Sequence, residues 1–442
     1  MNFDRSLIVV ASLLTACGTA AAQDFATGAE SGSSDMVGPQ GVRGRETRTQ
    51  QPPQTETQSS EQTNEAEAEQ PSSWFDFDRA TGDWGGHRTK LEESGVTVEA
   101  TFIGEWFSVV DGGVSSQSSA RALFDVNVTL DLQRMFKWEG ASVFADFYWI
   151  DGPSLSADAG DFQGVSNIEA DHRHQLSELW FEQLLFDDTI RVKLGKIEGN
   201  SEFAFVDAAG EFVNSSAGFS PTLLALPSYP DPSTGIILSW MPNEHFSITA
   251  GFMDGAATVD GVRTGLQGPD SFFNDDRSDD YVYLAEANFF WEGGRAGLGF
   301  WHHDGDFTRF LGGTESGTSG FYALAEHRIW NADDDRGIDL FAQLGFGDEA
   351  VNDVALHLAA GACWVGPWSS RPDDATGIYI TFIDLSEDAG YTDDETVIEL
   401  FYKLQLTPFL SIKPDLQYII DPAGNSTIDD ALVMGLRLEA SF

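Results

Sequence analysis

The groups of widest chemical reach in this 442-residue chain are eight histidines, two cysteines and 71 acidic side chains, and their spacing limits what they can do. His172 with His174, and His302 with His303, supply two ligands each where a metal centre needs three or four that converge, so solvated loop histidines are the simpler reading. Asp275-Asp276, Asp333-Asp334-Asp335 and Asp393-Asp394-Glu395 offer the oxygen ligands that calcium or magnesium takes. None has EF-hand spacing, and they read as solvated acidic loops. No Gly-x-Ser-x-Gly, Gly-x-Gly-x-x-Gly, P-loop or Cys-x-x-Cys pattern occurs. The chain is therefore expected to be no enzyme and to need neither metal nor cofactor.

The remaining candidates are charged and aromatic residues on one face of alternating segments. Glu99, Glu105, Asp125, Asp146, Glu178, Glu182 and Glu399 present acceptors, Arg191, Lys193, Arg295, Lys403, Lys413 and Arg437 present donors, and Gln417 presents both. Trp180 and Tyr148 add rings that pack on the apolar face of a sugar. A surface of both signs with rings suits neutral polyols. The plainer alternative is that these charges keep a water-filled interior polar and pin strand register, as Glu178 and Glu182 facing Arg191 and Lys193 across one strand pair would do.

Those residues need elements to hold them in one ring, and the alternation supplies them. Phe124, Val126, Val128, Leu130 and Leu132 alternate with Asp125, Asn127, Thr129 and Asp131, and Leu432, Met434, Leu436, Leu438, Ala440 and Phe442 alternate with polar residues at the chain end. Sixteen such segments are expected, at 96–109, 122–132, 141–150, 174–186, 189–197, 234–241, 245–253, 281–291, 295–304, 319–328, 337–347, 353–364, 376–384, 395–406, 410–420 and 431–442. An even count near ten residues each is the pattern of a transmembrane antiparallel β-barrel. Connections alternate short (187–189, 242–244, 292–294, 407–409) and long (151–173, 198–233, 254–280), with 348–352 and 365–375 as mild exceptions. This predicts short turns and both termini on the periplasmic side, and long loops outside. Trp106, Trp149, Trp240, Trp291, Trp330, Trp364 and Trp368 fall at or near strand ends, where membrane interfaces gather such rings. The connection 198–233, with Phe203, Phe205, Phe212 and Phe219, is too apolar to sit in water and is expected to fold into the barrel mouth.

Residues 1–22 read as an export signal with a small-residue cleavage site at Ala20-Ala21-Ala22, and Leu14-Thr15-Ala16-Cys17 leaves a lipobox open as the alternative. Residues 23–73 are Gln-, Glu- and Thr-rich with almost no large apolar residue, which predicts a disordered linker. A lead-in with a short helix then spans 74–95 and the barrel 96–442. With Cys17 removed, Cys363 stands alone and no internal disulfide is expected. The net charge of -47 argues against nucleic acid as a partner.

The segments "TGDWGGHRTKLEESGV" at Thr81 to Val96 and "ETVIELFYKLQLTPFLSIKPDLQYIIDPAGN" at Glu395 to Asn425 resemble the carbohydrate-selective porin (OprB) family of bacterial outer-membrane barrels, with looser similarity in "LGKIEGNSEFA" and "STGIILSWMPNEHFSITAGFMDGA". The resemblance spans roughly residues 74–442. It implies a sixteen-stranded barrel admitting monosaccharides such as glucose through a narrowed, charged lumen, and it aligns "PDLQYI" so that Asp415 joins Gln417 on the lumen face. Phe442 resembles the terminal aromatic by which the barrel assembly machinery recognises such chains. Outer-membrane lipid and lipopolysaccharide are the implied surroundings, and homo-oligomerisation stays open. The linker and the acidity depart from the family pattern. The acidity favours a general cation-preferring porin as the alternative function. An outer-membrane phospholipase would need a paired serine and histidine that the sequence does not display, and a linker that ties the barrel to the cell envelope is a third alternative.

Overall fold

The computed structural model describes residues 73–442 apart from 225, 260, 274–279 and 333–335. The expected export signal, Cys17, the linker through residue 72, Asp275-Asp276 and Asp333-Asp334-Asp335 lie outside the described residues.

Alternation of apolar and polar side chains drives the chain into strands whose two faces meet different solvents. Eighteen strands are described: β1 (Val96–Gly113), β2 (Ser118–Asp131), β3 (Ala141–Asp151), β4 (Arg173–Leu185), β5 (Ile190–Ile197), β6 (Ser233–Asn243), β7 (Phe246–Asp254), β8 (Thr258–Val259), β9 (Val262–Arg263), β10 (Tyr281–Trp291), β11 (Gly294–Thr308), β12 (Thr314–Asn331), β13 (Gly337–Phe346), β14 (Val354–Val365), β15 (Ala375–Leu385), β16 (Glu395–Thr407), β17 (Leu410–Ile420) and β18 (Asp429–Ser441). β8 and β9 form a small separate hairpin, and the other sixteen close into one antiparallel barrel in which β1 pairs with β18. Closure leaves the barrel no free sheet edge along the β1–β18 ladder from Thr101 onward, as a hydrocarbon environment demands. Among the described residues no helix is long and apolar enough to cross a membrane.

Each expected strand is present, but four run longer than the apolar pattern foretells. β1 and β2 extend into a hairpin joined at 114–117, and β11 and β12 into one joined at 309–313. Beyond the membrane-facing band these ladders continue through mostly polar stretches such as Asp304 to Thr308, with Phe307 the one large apolar side chain, where alternation of hydrophobicity no longer marks them. Trp106 therefore stands inside β1 rather than near its end. All seven tryptophans singled out from the sequence are exposed. The outward face is apolar: Leu238, Leu298, Phe300, Ile378, Leu400, Met434 and Leu436 are all exposed. On the inward face Arg437, Lys413, Glu399 and Gln417 are at most 2 % exposed, so this part of the wall is covered from within.

Two local irregularities aim the wall. In β4, register shifts between the pairs Asp146↔Glu178 and Phe147↔Leu176, so Ser177 and Glu178 both turn inward and parity reverses along the strand. Before β1, helix α1 (His87–Glu93) begins after Gly86, whose φ of 86° lies in the left-handed region. Asp83 caps the helix from a distance, its Oδ1 accepting from Thr89 N at 2.9 Å and Thr89 Oγ1 at 2.8 Å. Gly95, at φ 93°, ends the lead-in, and a side chain there would meet Asp131 O at 2.8 Å.

Leu400 pairs with Leu416 and Ile378 on the outward face of the sheet. Leu400→Arg is expected to destabilise the folded barrel by about 2–4 kcal/mol, the cost of a cation near the bilayer midplane. Urea titration in lipid vesicles measures it, and an unchanged midpoint would place Leu400 off the lipid.

Candidate functional site

The lumen is built by two long connections that leave the wall and fold inward, 152–172 between β3 and β4 and 198–232 between β5 and β6. Their apolar side chains explain the path. Phe203, Val206, Phe212, Val213 and Phe219 are at most 1 % exposed, and Phe212 nests among Phe341, Tyr379 and Phe401 with ring centroids 4.9 to 5.5 Å apart. The glycine at 345 makes room, since a side chain there would collide with Ser220 and Thr222 of the inserted loop.

A loop inside a barrel carries main-chain N–H groups away from water, and each must find an acceptor. Wall carboxylates provide them. Glu399 accepts from Val213 N at 2.7 Å and Asn214 N at 2.9 Å. Glu286 accepts from Ala204 N at 2.7 Å and from the Tyr322 hydroxyl at 2.7 Å, and Glu326 from Ala208 N at 2.9 Å. Glu178 accepts from Glu198 N at 3.0 Å. Glu395, the first residue of β16, accepts from Phe162 N, Gln163 N and Ala423 N. Asn214 extends the node through its side-chain amide, donating to Gln417 Oε1 and accepting from the Tyr379 hydroxyl.

Ion clusters hold the loop's lowest part. Arg191 bridges Glu182 and the loop residue Glu202 at 2.6 Å each, and Lys193 bonds the same Glu202. Burial alone would raise the Glu202 carboxyl, but Lys193 and Arg191 outweigh it and hold it well below the ordinary carboxylate range. Glu211 is arranged alike: burial opposes ionisation, while Lys403 at 2.8 Å and Lys413 at 3.0 Å hold the carboxyl well below its usual value. Lys413 also meets Glu439 at 3.1 Å. Arg437 pairs with Glu105, which accepts from Ser166 Oγ at 2.7 Å, so the loop 152–172 is tied to the same wall. Arg295 bonds Glu326 at 2.6 Å and the main chain of Phe205.

All sixteen candidates read from the sequence lie on inward-facing positions, and most are brought together through the loops. Glu105, Glu178, Glu182, Arg191, Lys193, Arg295, Glu399, Lys403, Lys413, Gln417 and Arg437 each bond a residue of an inserted loop or a wall partner that does. Asp415 accepts from Gln417 Nε2 at 3.1 Å. Trp180 is stacked on Phe144 at 4.8 Å and carries Lys193 Nζ at 4.0 Å from its centroid, so neighbours occupy its faces. Asp125 and Asp146 face inward beside Tyr148, whose ring packs on Tyr229. Glu99 is set apart near the short-turn end, paired with Arg79 at 3.4 Å. The candidates chosen from the sequence left out Glu286, Glu326, Glu395 and Glu439, although the same alternation marks them as inward-facing. They left out Glu202 and Glu211 because nothing in an irregular loop marks which charge turns to the wall. The histidine pairs diverge: His172 meets Asp151, His302 meets Ser319 and His303 meets Gly255 O. Among the described residues no three histidine, cysteine or acidic side chains converge on a metal position.

A sixteen-stranded barrel, apolar outside and narrowed within by inserted loops that carry charges of both signs, is the architecture of a porin. Residues 118–442 match the carbohydrate-selective porin, OprB family, and the chain belongs to that family. It is a channel protein of the outer membrane, selective for carbohydrate. The match begins at β2, so the stretch Thr81 to Val96 lies outside the matched residues. The chain is 25% identical over 423 residues to Porin B of Pseudomonas aeruginosa, covering 82% of this chain and 90% of that protein. Its fold is that of Pseudomonas putida OprB, with a TM-score of 0.74 at 22% identity to the high-pH structure and 0.57 at 19% to the low-pH structure, each over 83% of this chain and 99% of the other.

Removing one partner of a buried ion cluster costs about 3–5 kcal/mol. Glu202→Ala should therefore release the loop from Arg191 and Lys193 and raise single-channel conductance in planar bilayers, with no change contradicting the clamp. Both loop carboxyls are depressed, so their contribution is complete above pH about 4.5, the ordinary carboxylate value, and is lost only as pH falls through the depressed values. The difference in conductance between Glu202→Ala and the unaltered protein, each corrected for the bulk electrolyte, should therefore stay level from about pH 7 to 4.5 and shrink only in stronger acid.

Proposed function

We propose that monosaccharide-sized solutes, glucose among them, diffuse passively past the lowest part of the loop 198–232. The observation that carries this is the ring of side chains there that keep contact with solvent: Ser201 and Asp207 exposed on the loop, Glu211 partly so, with Arg191, Arg295 and Lys403 on the facing wall at 12 to 19 % side-chain exposure. Carboxylates accept from sugar hydroxyls and the guanidinium and ammonium groups donate to them, so a neutral solute exchanges its water for matched partners. A permanent ion bonds one sign and is repelled by the other. In this reading Arg191, Arg295 and Lys403 touch solute as well as mooring the loop, while Glu105, Glu178, Glu399 and Gln417 serve only to hold the loops.

The short-turn end, which carries α1 and both described chain ends, faces the periplasm, and the long loops face outside. That assignment puts Asp111, Asp171, Asp393, Asp394, Asp429 and Asp430 on the outer side, near lipopolysaccharide, and supports a second reading in which cations are drawn in alongside sugar. Residues 1–22 serve as the export signal, 23–73 as a linker, and Phe442 as the mark for barrel assembly.

Liposome swelling with a sugar panel, together with reversal potentials in potassium chloride gradients, tests both readings. Glucose and its isomers should outpace uncharged solutes of the same size, and Arg295→Ala should reduce that preference several-fold. Flux ordered by size alone, with a strong potassium preference, would leave a general cation-preferring porin.

A further inference from the structure

The lead-in that precedes β1 is absorbed by none of the solute chemistry, yet its contacts are specific. Fifteen neighbouring strand pairs in the barrel are joined in sequence by the connection between them, while β1 and β18, the first and last strands, are held by pairing alone. Their ladder starts at Thr101↔Ser441. Residues 96–99 of β1 thus run past the end of β18, paired with β2 on one side only. Such an overhang leaves main-chain groups open to the next strand that arrives.

The lead-in covers that edge. Arg88, 5 % exposed, donates from Nη1 to Val98 O on the overhang at 3.4 Å and to Phe442 O at 3.2 Å, so one guanidinium spans both strands. Its Nη2 donates to Thr81 Oγ1 at 3.0 Å, and its head lies 4.3 Å from the Trp84 ring centroid. Ala80 N donates to Ser441 O at 2.8 Å, and Phe442 N to Ala100 O at 2.8 Å. Trp74 packs on Phe409, in the turn between β16 and β17, at 4.8 Å, and its indole N–H donates to Ala80 O. Arg79 ties α1 to the wall through Glu92 and Glu99.

We propose that residues 74–94 form a clasp on the β1/β18 seam. Half of its acceptors belong to β18 or to the residue after it, so the site it docks in exists only once the last strand has paired with the first. The clasp is then the final piece to settle, and it keeps the seam from opening or accepting a foreign strand. Arg88 is its positioning residue, acting on the seam and not on solute.

Hydrogen exchange on the full chain in lipid vesicles tests this. In Arg88→Ala, amides in 96–102 and 437–442 should exchange about tenfold faster or more, as expected for loss of a charge-assisted bond at a locally opening edge. Peptides from β10 to β13 should not change, nor should glucose flux per folded barrel. Arg88→Lys, a point charge that reaches fewer acceptors, should fall between. Thr81→Val, which removes one acceptor of Arg88 and leaves the guanidinium, gives a milder form of the seam effect should Arg88→Ala fail to fold. During refolding from urea, protection of 74–94 should appear no earlier than that of 437–442. Equal acceleration across the whole barrel, an unchanged seam in both Arg88→Ala and Thr81→Val, or early protection of the lead-in would overturn the clasp.

Discussion

A main-chain amide carried into the interior of a membrane barrel must be given an acceptor there, and the rest of this molecule is arranged around that requirement. The strand ladders meet it by closing on themselves. The inserted loops cannot, because their backbone is irregular, and the wall lends them carboxylates. Glu399 holds two successive amides of the loop, Glu286 and Glu326 take others, and Glu395 gathers three from two separate connections. An inward glutamate in this barrel is therefore first a piece of scaffolding, whatever else it meets.

The strong negative charge of the chain looks different in this light. Carboxylates that bond backbone N–H groups need no cation to be satisfied, which lets the wall carry many acids with few bases. Where bases do occur inside, they are placed against the loop's own acids: Arg191 and Lys193 on Glu202, Lys403 and Lys413 on Glu211. Opposite charges thus mark two places where the loop is moored to the wall, and aromatic packing around Phe212 lies just beyond the second.

Strands were legible because lipid imposes a two-residue period, and parity alone put Glu105, Glu399, Gln417 and Arg437 on the inward face. What lay outside that period was not. The hairpin extensions of β11 and β12 carry polar residues on both faces, and the extra residue Ser177 in β4 has no compositional mark. The insertion of 198–232 could be foretold from its phenylalanines, since they had no other place to be buried. The bond partners of that loop could not, because Glu202 and Arg191 meet through the fold of an irregular segment and not through any spacing. The lead-in was similarly half visible: a short helix was expected within 74–95, but nothing in that stretch pointed to β18, more than three hundred residues away.

The inserted loop has a consequence for how such a channel can change. Strand count sets the circumference of the hoop, and the hoop must fit the lipid around it. The aperture is set separately, by a segment of some thirty-five residues and the side chains that moor it. A lineage can thus retune what it admits by a few substitutions at the moorings, leaving the lipid-facing staves untouched. Permeability is an adjustable fitting inside a standard cask.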